Sequence, residues 1–140
     1  MADLSITAAN VKASSQATVL RQYPFGVSVT QGQVVYLDAN NRWVLMDADA
    51  AATGNGVSDK RGIALNAGAN TQPAEVAIKD PAFTIGATLT NGVSYYASPN
   101  AGGVEVIAAV GSANYPTFLG AAISTTQINL NPTAAGIALA

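Results

Sequence analysis

Val29-Thr30-Gln31-Gly32-Gln33-Val34-Val35-Tyr36 is followed 60 residues later by Leu89-Thr90-Asn91-Gly92-Val93-Ser94-Tyr95-Tyr96. Both octets read Thr-x-Gly-x-x-x-Tyr. The glycine suits a tight turn that needs a positive φ, and the β formers behind it suit a strand. Each octet then passes through a polar turn into a return strand. Asp38-Ala39-Asn40-Asn41 leads to Arg42-Trp43-Val44-Leu45-Met46, and Ser98 to Gly103 leads to Val104-Glu105-Val106-Ile107. That spacing predicts two β-hairpins.

Moving outward, Arg61-Gly62-Ile63-Ala64-Leu65 lines up with Leu119-Gly120-Ala121-Ala122-Ile123, 58 residues on. Each leads into a further strand, Glu75 to Ile78 and Ile128 to Leu130. Residues 25–80 and 83–131 therefore read as a weak internal two-fold repeat, with chance convergence of turn chemistry as the alternative. Two copies are too few for a solenoid. Ala74 to Lys79, Phe83-Thr84-Ile85 and Thr117 to Ile123 add strands, and Pro132 is expected to stop the last one. Ala48 to Asp59 reads as a loop, or as one helical turn at Asp47 to Ala52. Many short strands separated by Gly, Pro, Asn and Asp predict an all-β fold, a small barrel or sandwich.

The expected division is an N-terminal arm over 1–24, a β body over 25–132 and a C-terminal tail over 133–140. In the arm, small residues surround a few apolar anchors: Leu4, Ile6, Val11, Tyr23 and Phe25. Leu4 and Ile6, two apart, share one face of an extended chain. Pro24 holds Tyr23 extended. Terminal residues commonly fray, but these anchors need burial.

Composition removes several kinds of chemistry. Of 140 residues, 28 are Ala and 14 are charged, six Lys or Arg against eight Asp or Glu, for a net charge of −2. His and Cys are absent. Without them there is no imidazole base, no thiolate nucleophile and no ordinary zinc, haem or iron–sulfur ligand set. As a calcium loop, Asp38 to Arg42 has Arg where a further ligand is wanted, and Asp47-Ala48-Asp49-Ala50 lacks the glycine turn and the distal Glu. Gly54-Asn55-Gly56-Val57-Ser58 lacks the Lys-Ser/Thr of a phosphate loop. With one Trp and eight Tyr and Phe, the chain is poor in the aromatics that line carbohydrate-cleaving clefts. Asp59-Lys60-Arg61 is a mixed-charge turn. The acidic balance argues against nucleic acid. The uncharged stretch from Val106 to Ala140 is too broken by Gly, Pro and Asn to cross a membrane as a helix. No basic run precedes an apolar one, so no secretory signal is expected. The residues predict no enzyme, no metal and no cofactor. A surface this poor in charge suits either a body covered by neighbours or simply a neutral, Ala-rich domain.

Four stretches carry a resemblance: Met1 to Val11, Thr30-Gln31-Gly32-Gln33-Val34-Val35-Tyr36-Leu37-Asp38, Arg61 to Leu65, and Ser124-Thr125-Thr126-Gln127-Ile128-Asn129-Leu130. Together they resemble the capsid decoration proteins of tailed bacteriophages, also called cement or head-stabilising proteins. The likeness spans nearly the whole chain, its motifs are short, and none is a catalytic fingerprint. Tyr23-Pro24-Phe25 and Ala48 to Asp59 lie outside the matched stretches. The resemblance implies a structural virion protein on the capsid exterior, often a homotrimer at three-fold or quasi-three-fold positions. Its partner would be the major capsid protein, whose adjacent subunits it would clamp. Leu4, Ile6, Val11, Tyr23 and Phe25 would then be capsid or inter-subunit contacts, and loss of residues 1–20 would leave a folded body that no longer decorates shells. Two other readings stay open: another virion subunit, from a tail or head fibre, and a carbohydrate-binding β module with aromatics exposed on one face.

Overall fold

A computed structural model describes residues 4–46, 60–98, 100–106 and 117–134. The expected Ala48–Asp59 loop and helical turn, and all of the tail past residue 134, lie outside the described residues. Among the described residues nine strands follow one another: β1 (Thr18–Leu20), β2 (Val34–Leu37), β3 (Trp43–Leu45), β4 (Arg61–Ala64), β5 (Val76–Thr84), β6 (Ser94–Ala97), β7 (Val104–Val106), β8 (Thr117–Ala122) and β9 (Gln127–Ala134). A single 3-10 turn, Ala8–Asn10, is the only helical element among the described residues. The fold is all-β: an antiparallel sheet curled into a half-barrel.

The strands run β3-β2-β4-β5-β9-β8-β6-β7, with β1 added beside β5. From either end the path is hairpin, strand, strand. Equivalent positions also make equivalent backbone bonds. Gly32 N–H donates to the Ala64 carbonyl at 2.9 Å and Ala64 N–H to Gln33 at 3.0 Å. Gly92 N–H donates to Ala122 at 2.8 Å and Ala122 N–H to Val93 at 2.9 Å. The turn glycines have φ of +96° at Gly32 and +85° at Gly92, the region that only glycine enters freely. Gly62 and Gly120 meet a second constraint. A Cβ on either would sit 2.1 Å from the facing carbonyl oxygen, of Ala77 and of Asn129 respectively.

Two apolar clusters hold the sheet. The inner one fills the half-barrel with Val34, Tyr36, Ile63, Phe83, Leu119 and Ile128, among others. The outer one lies on the far side of β2 and β3, where Phe25, Val35, Leu37, Trp43 and Val76 meet. All four residues of β2 are buried, as an unbroken Val-Val-Tyr-Leu run requires of a strand covered on both faces. β6 alternates instead: Tyr95 and Ala97 point to the core, while Ser94 and Tyr96 are half-buried on the other face. The curl brings the far end of the path back to its start. Val34 N–H donates to Gly102 at 2.9 Å, and Gly102 N–H donates to Met46 at 2.8 Å.

Two strand boundaries differ from expectation, both at prolines. The separate strands expected at Ala74–Lys79 and Phe83–Ile85 form one nine-residue β5 that includes Asp80-Pro81. Its register shifts between Asp80 and Phe83. A bulge leaves Pro81 without a ladder bond to make, so the strand bends and continues. Likewise β9 runs past Pro132 to Ala134, because the ladder with β8 shifts between Phe118 and Gly120, opposite the proline.

Candidate functional site

The N-terminal segment is built onto the half-barrel as a strap over its open mouth. Leu4 and Ile6 are half-buried against the inner cluster, while Ser5 and Thr7 between them are exposed. That is the two-residue alternation of an extended chain. Leu4 N–H donates to Val104 and Thr7 N–H to Gly86, both at 2.8 Å. The 3-10 turn at Ala8–Asn10 then redirects the chain and drops Val11 into the core, 5% exposed. Lys12 and Thr84 exchange backbone bonds at 2.9 and 3.0 Å, and the Gln31 side-chain amide donates to the Val11 carbonyl at 3.0 Å. The underlying backbone is shaped for this contact. A Cβ on Gly32 would lie 2.9 Å from both Ile6 and Val11.

The strap ends on a buried carboxylate. Asp80 has no exposed surface. It accepts Ser14 N–H at 2.7 Å, the Ser14 hydroxyl, and Ala82 N–H at 3.0 Å. A charge withdrawn from water is tolerated when it is fully hydrogen-bonded. Here two of the three donors come from the strap, so the bulge at Asp80-Pro81 fixes where the strap stops.

The five residues expected as contacts fall into two groups. Leu4, Ile6 and Val11 come together on the inner cluster. Tyr23 and Phe25 join the outer cluster instead, beside Trp43, and Phe25 is fully buried. The arm expected over 1–24 thus has different parts. Residues 4–14 form the strap, Thr18–Leu20 is a strand on β5, and Pro24 and Phe25 bridge to Pro73 and Trp43. Removing residues 1–20 would take Val11 and β1 away from the body as well as the strap.

Grooves flank the strap on both sides. One, of about 330 Å³, lies between Leu4, Ile6 and the Gln31–Gln33 turn. The other, of about 700 Å³, lies between Ser5 to Lys12 and Thr84 to Thr88. Asp80, Ser14, Lys12 and Thr88 were not legible as site residues in the sequence. A carboxylate followed by proline inside a β-type run is the one signal that could have exposed Asp80.

The acidic residues weighed for metal binding have a simpler use where they are described. Asp38 accepts the N–H groups of Asn40 and Arg42 at 2.9 and 3.0 Å, closing the β2–β3 turn. Asp47 and Asp49 lie outside the described residues. Among the described residues no three His, Cys, Asp or Glu side chains gather around a metal-sized point. On the outer face of the second half, Tyr96 and Phe118 pack edge to face, ring centres 5.6 Å apart. No family model matches the chain, and no curated protein matches it either.

Proposed function

We propose that this chain is a structural virion protein that binds the outside of a tailed-phage capsid and clamps adjacent major capsid protein subunits. The observation that carries the reading is the strap. It is an extended segment held on the half-barrel, with Ser5, Thr7, Ala9 and Asn10 turned to solvent beside two grooves. A clamp needs this kind of rigid platform with strand-like backbone at its edge, and no reacting groups. The resemblance of Met1 to Val11 and Thr30 to Asp38 to capsid decoration proteins supports the same reading. Binding only the assembled lattice, many weak contacts would add to shell stability by mass action. Self-association into a trimer would multiply those contacts.

The test is sedimentation of undecorated capsids with the purified chain. Saturable co-sedimentation, with a rise in the temperature at which the shells release DNA, is the expected result. Shells that neither retain the chain nor gain stability would overturn the reading.

The Tyr96–Phe118 pair favours a second reading, a carbohydrate-binding β module, because half-exposed rings on a sheet face can stack on sugars. A glycan screen separates the two: glycan binding lost in Tyr96→Ala, without capsid binding, would select the module.

A further inference from the structure

The larger groove beside the strap has a chemical bias. Among the described residues the only charged side chain lining it is Lys12, and five of the lining residues are hydroxyl-bearing: Ser5, Thr7, Thr84, Thr88 and Thr126. No carboxylate and no aromatic ring lines it among the described residues. The Lys12 ammonium is exposed and makes no hydrogen bond or ion pair among the described residues. The backbone N–H groups of Ala87 and Thr88 likewise have no partner among the described residues. Among the described residues the groove therefore offers a cation, hydroxyls and two backbone donors from the irregular segment after β5, with no carboxylate. Its volume of about 700 Å³ is that of an ordinary ligand site.

We infer that this groove takes an extended acidic peptide segment. The segment's carbonyls would accept from Ala87 and Thr88, and a Glu or Asp carboxylate would pair with Lys12. An oligosaccharide fits less well, because no ring is present on which a sugar could stack. One wall of the groove is the strap itself, so the site is complete only while Ser14 is held by Asp80. Resting on the capsid-binding reading, the segment belongs to the major capsid protein.

The experiment uses the full chain labelled for NMR. It is titrated with a hexapeptide of alternating Glu and Thr, and separately with a neutral glucose oligosaccharide. The expected result is saturable movement of the Lys12, Ala87 and Thr88 amide signals with the peptide alone. Lys12→Glu should weaken that binding about fivefold, from a lost attraction and an added repulsion near the surface. Lys79→Glu, an exposed lysine that does not line the groove, should leave it unchanged. No movement at Lys12, Ala87 and Thr88 overturns the inference, as does movement with the oligosaccharide or equal weakening by both variants. Capsid sedimentation of the same variants separates the two claims. If wild type and Lys12→Glu bind shells alike, the groove assignment fails and the clamp reading stands. If the peptide binds and wild type ignores shells, the clamp reading fails and the groove stands.

Discussion

The two halves of the sheet make matching backbone bonds around Gly32 and Gly92, although β6–β8 shifts register at Tyr95/Tyr96 where β2–β4 does not, and they turn opposite faces to the inner cluster. In the first half, Val29, Val35, Leu37, Ala64 and Val76 face the outer cluster, and Val34, Tyr36, Ile63 and Ala77 face the inner one. Their counterparts in the second half reverse this. Leu89, Tyr95, Ala97, Ala122 and Ile128 face the inner cluster, while Ser94, Tyr96, Ala121 and Asn129 lie on the outside, half-buried or exposed. The second half thus lies with its core side on the back of the first. The first half is a middle layer, covered by Phe25 and Val29 on one side and by the second half on the other. The second half is a terminal layer. Polar and small side chains at Ser94, Ala121 and Asn129, where the first half has Val34, Ile63 and Ala77, fit a face that ends a stack.

The largest expected consequence separates the covered face from the open one. Phe25→Ala should cost about 3–5 kcal/mol, because it empties a fully buried site. Phe118→Ala, on the half-buried outer face, should cost about 1 kcal/mol. Urea denaturation of both variants measures the gap, and equal losses would break the distinction between the two faces.

The match between the halves is tested by the glycines that differ least between them. Gly62→Ala and Gly120→Ala each push a methyl to 2.1 Å from a carbonyl oxygen. Both should lose about 3 kcal/mol or more, since the ladders must shift to make room. Free acceptance of one and not the other would mean that the two Gly-containing strands are not equivalent.

The smallest expected difference concerns the strap. Gly32 and Gly92 have the same turn conformation. A Cβ on Gly32 would meet Ile6 and Val11 at 2.9 Å, and one on Gly92 meets nothing within 4 Å. Gly92→Ala should lose about 1 kcal/mol for its positive φ. Gly32→Ala should lose about 1 kcal/mol more and speed amide exchange at Thr7 and Lys12, the bonds that hold the strap. Identical losses with an undisturbed strap would place the strap elsewhere.

Much of this architecture was legible in the sequence because it rests on local rules. Thr-x-Gly-x-x-x-Tyr encodes a turn and a strand, and Asp38 to Asn41 encodes the hairpin turn. Which face each strand turns to the core was written less plainly. Val34-Val35-Tyr36-Leu37 is apolar at every position, so only the three-dimensional stack decides that Tyr36 points inward and its counterpart Tyr96 outward. The path through Asp80-Pro81 was not legible. A charged residue followed by proline ends most strands, and the Ser14 donors that make it a bulge lie 66 residues away. The strap was half legible. Spacing marks Leu4 and Ile6 as a buried face, but nothing near them says that their target is the mouth of their own half-barrel. Proximity in the sequence groups Tyr23 and Phe25 with them, but the chain turns between the two sets and seats them in different cores.

The most direct measurement is an image reconstruction of undecorated capsids incubated with the full chain. The expected map carries extra β-rich density on the outer surface of the shell. The strap and the Lys12 groove should be turned toward the major capsid protein, and the Tyr96–Phe118 face toward solvent. A shell with no added density, or density attached through the Tyr96–Phe118 face with the strap pointing away, would contradict it.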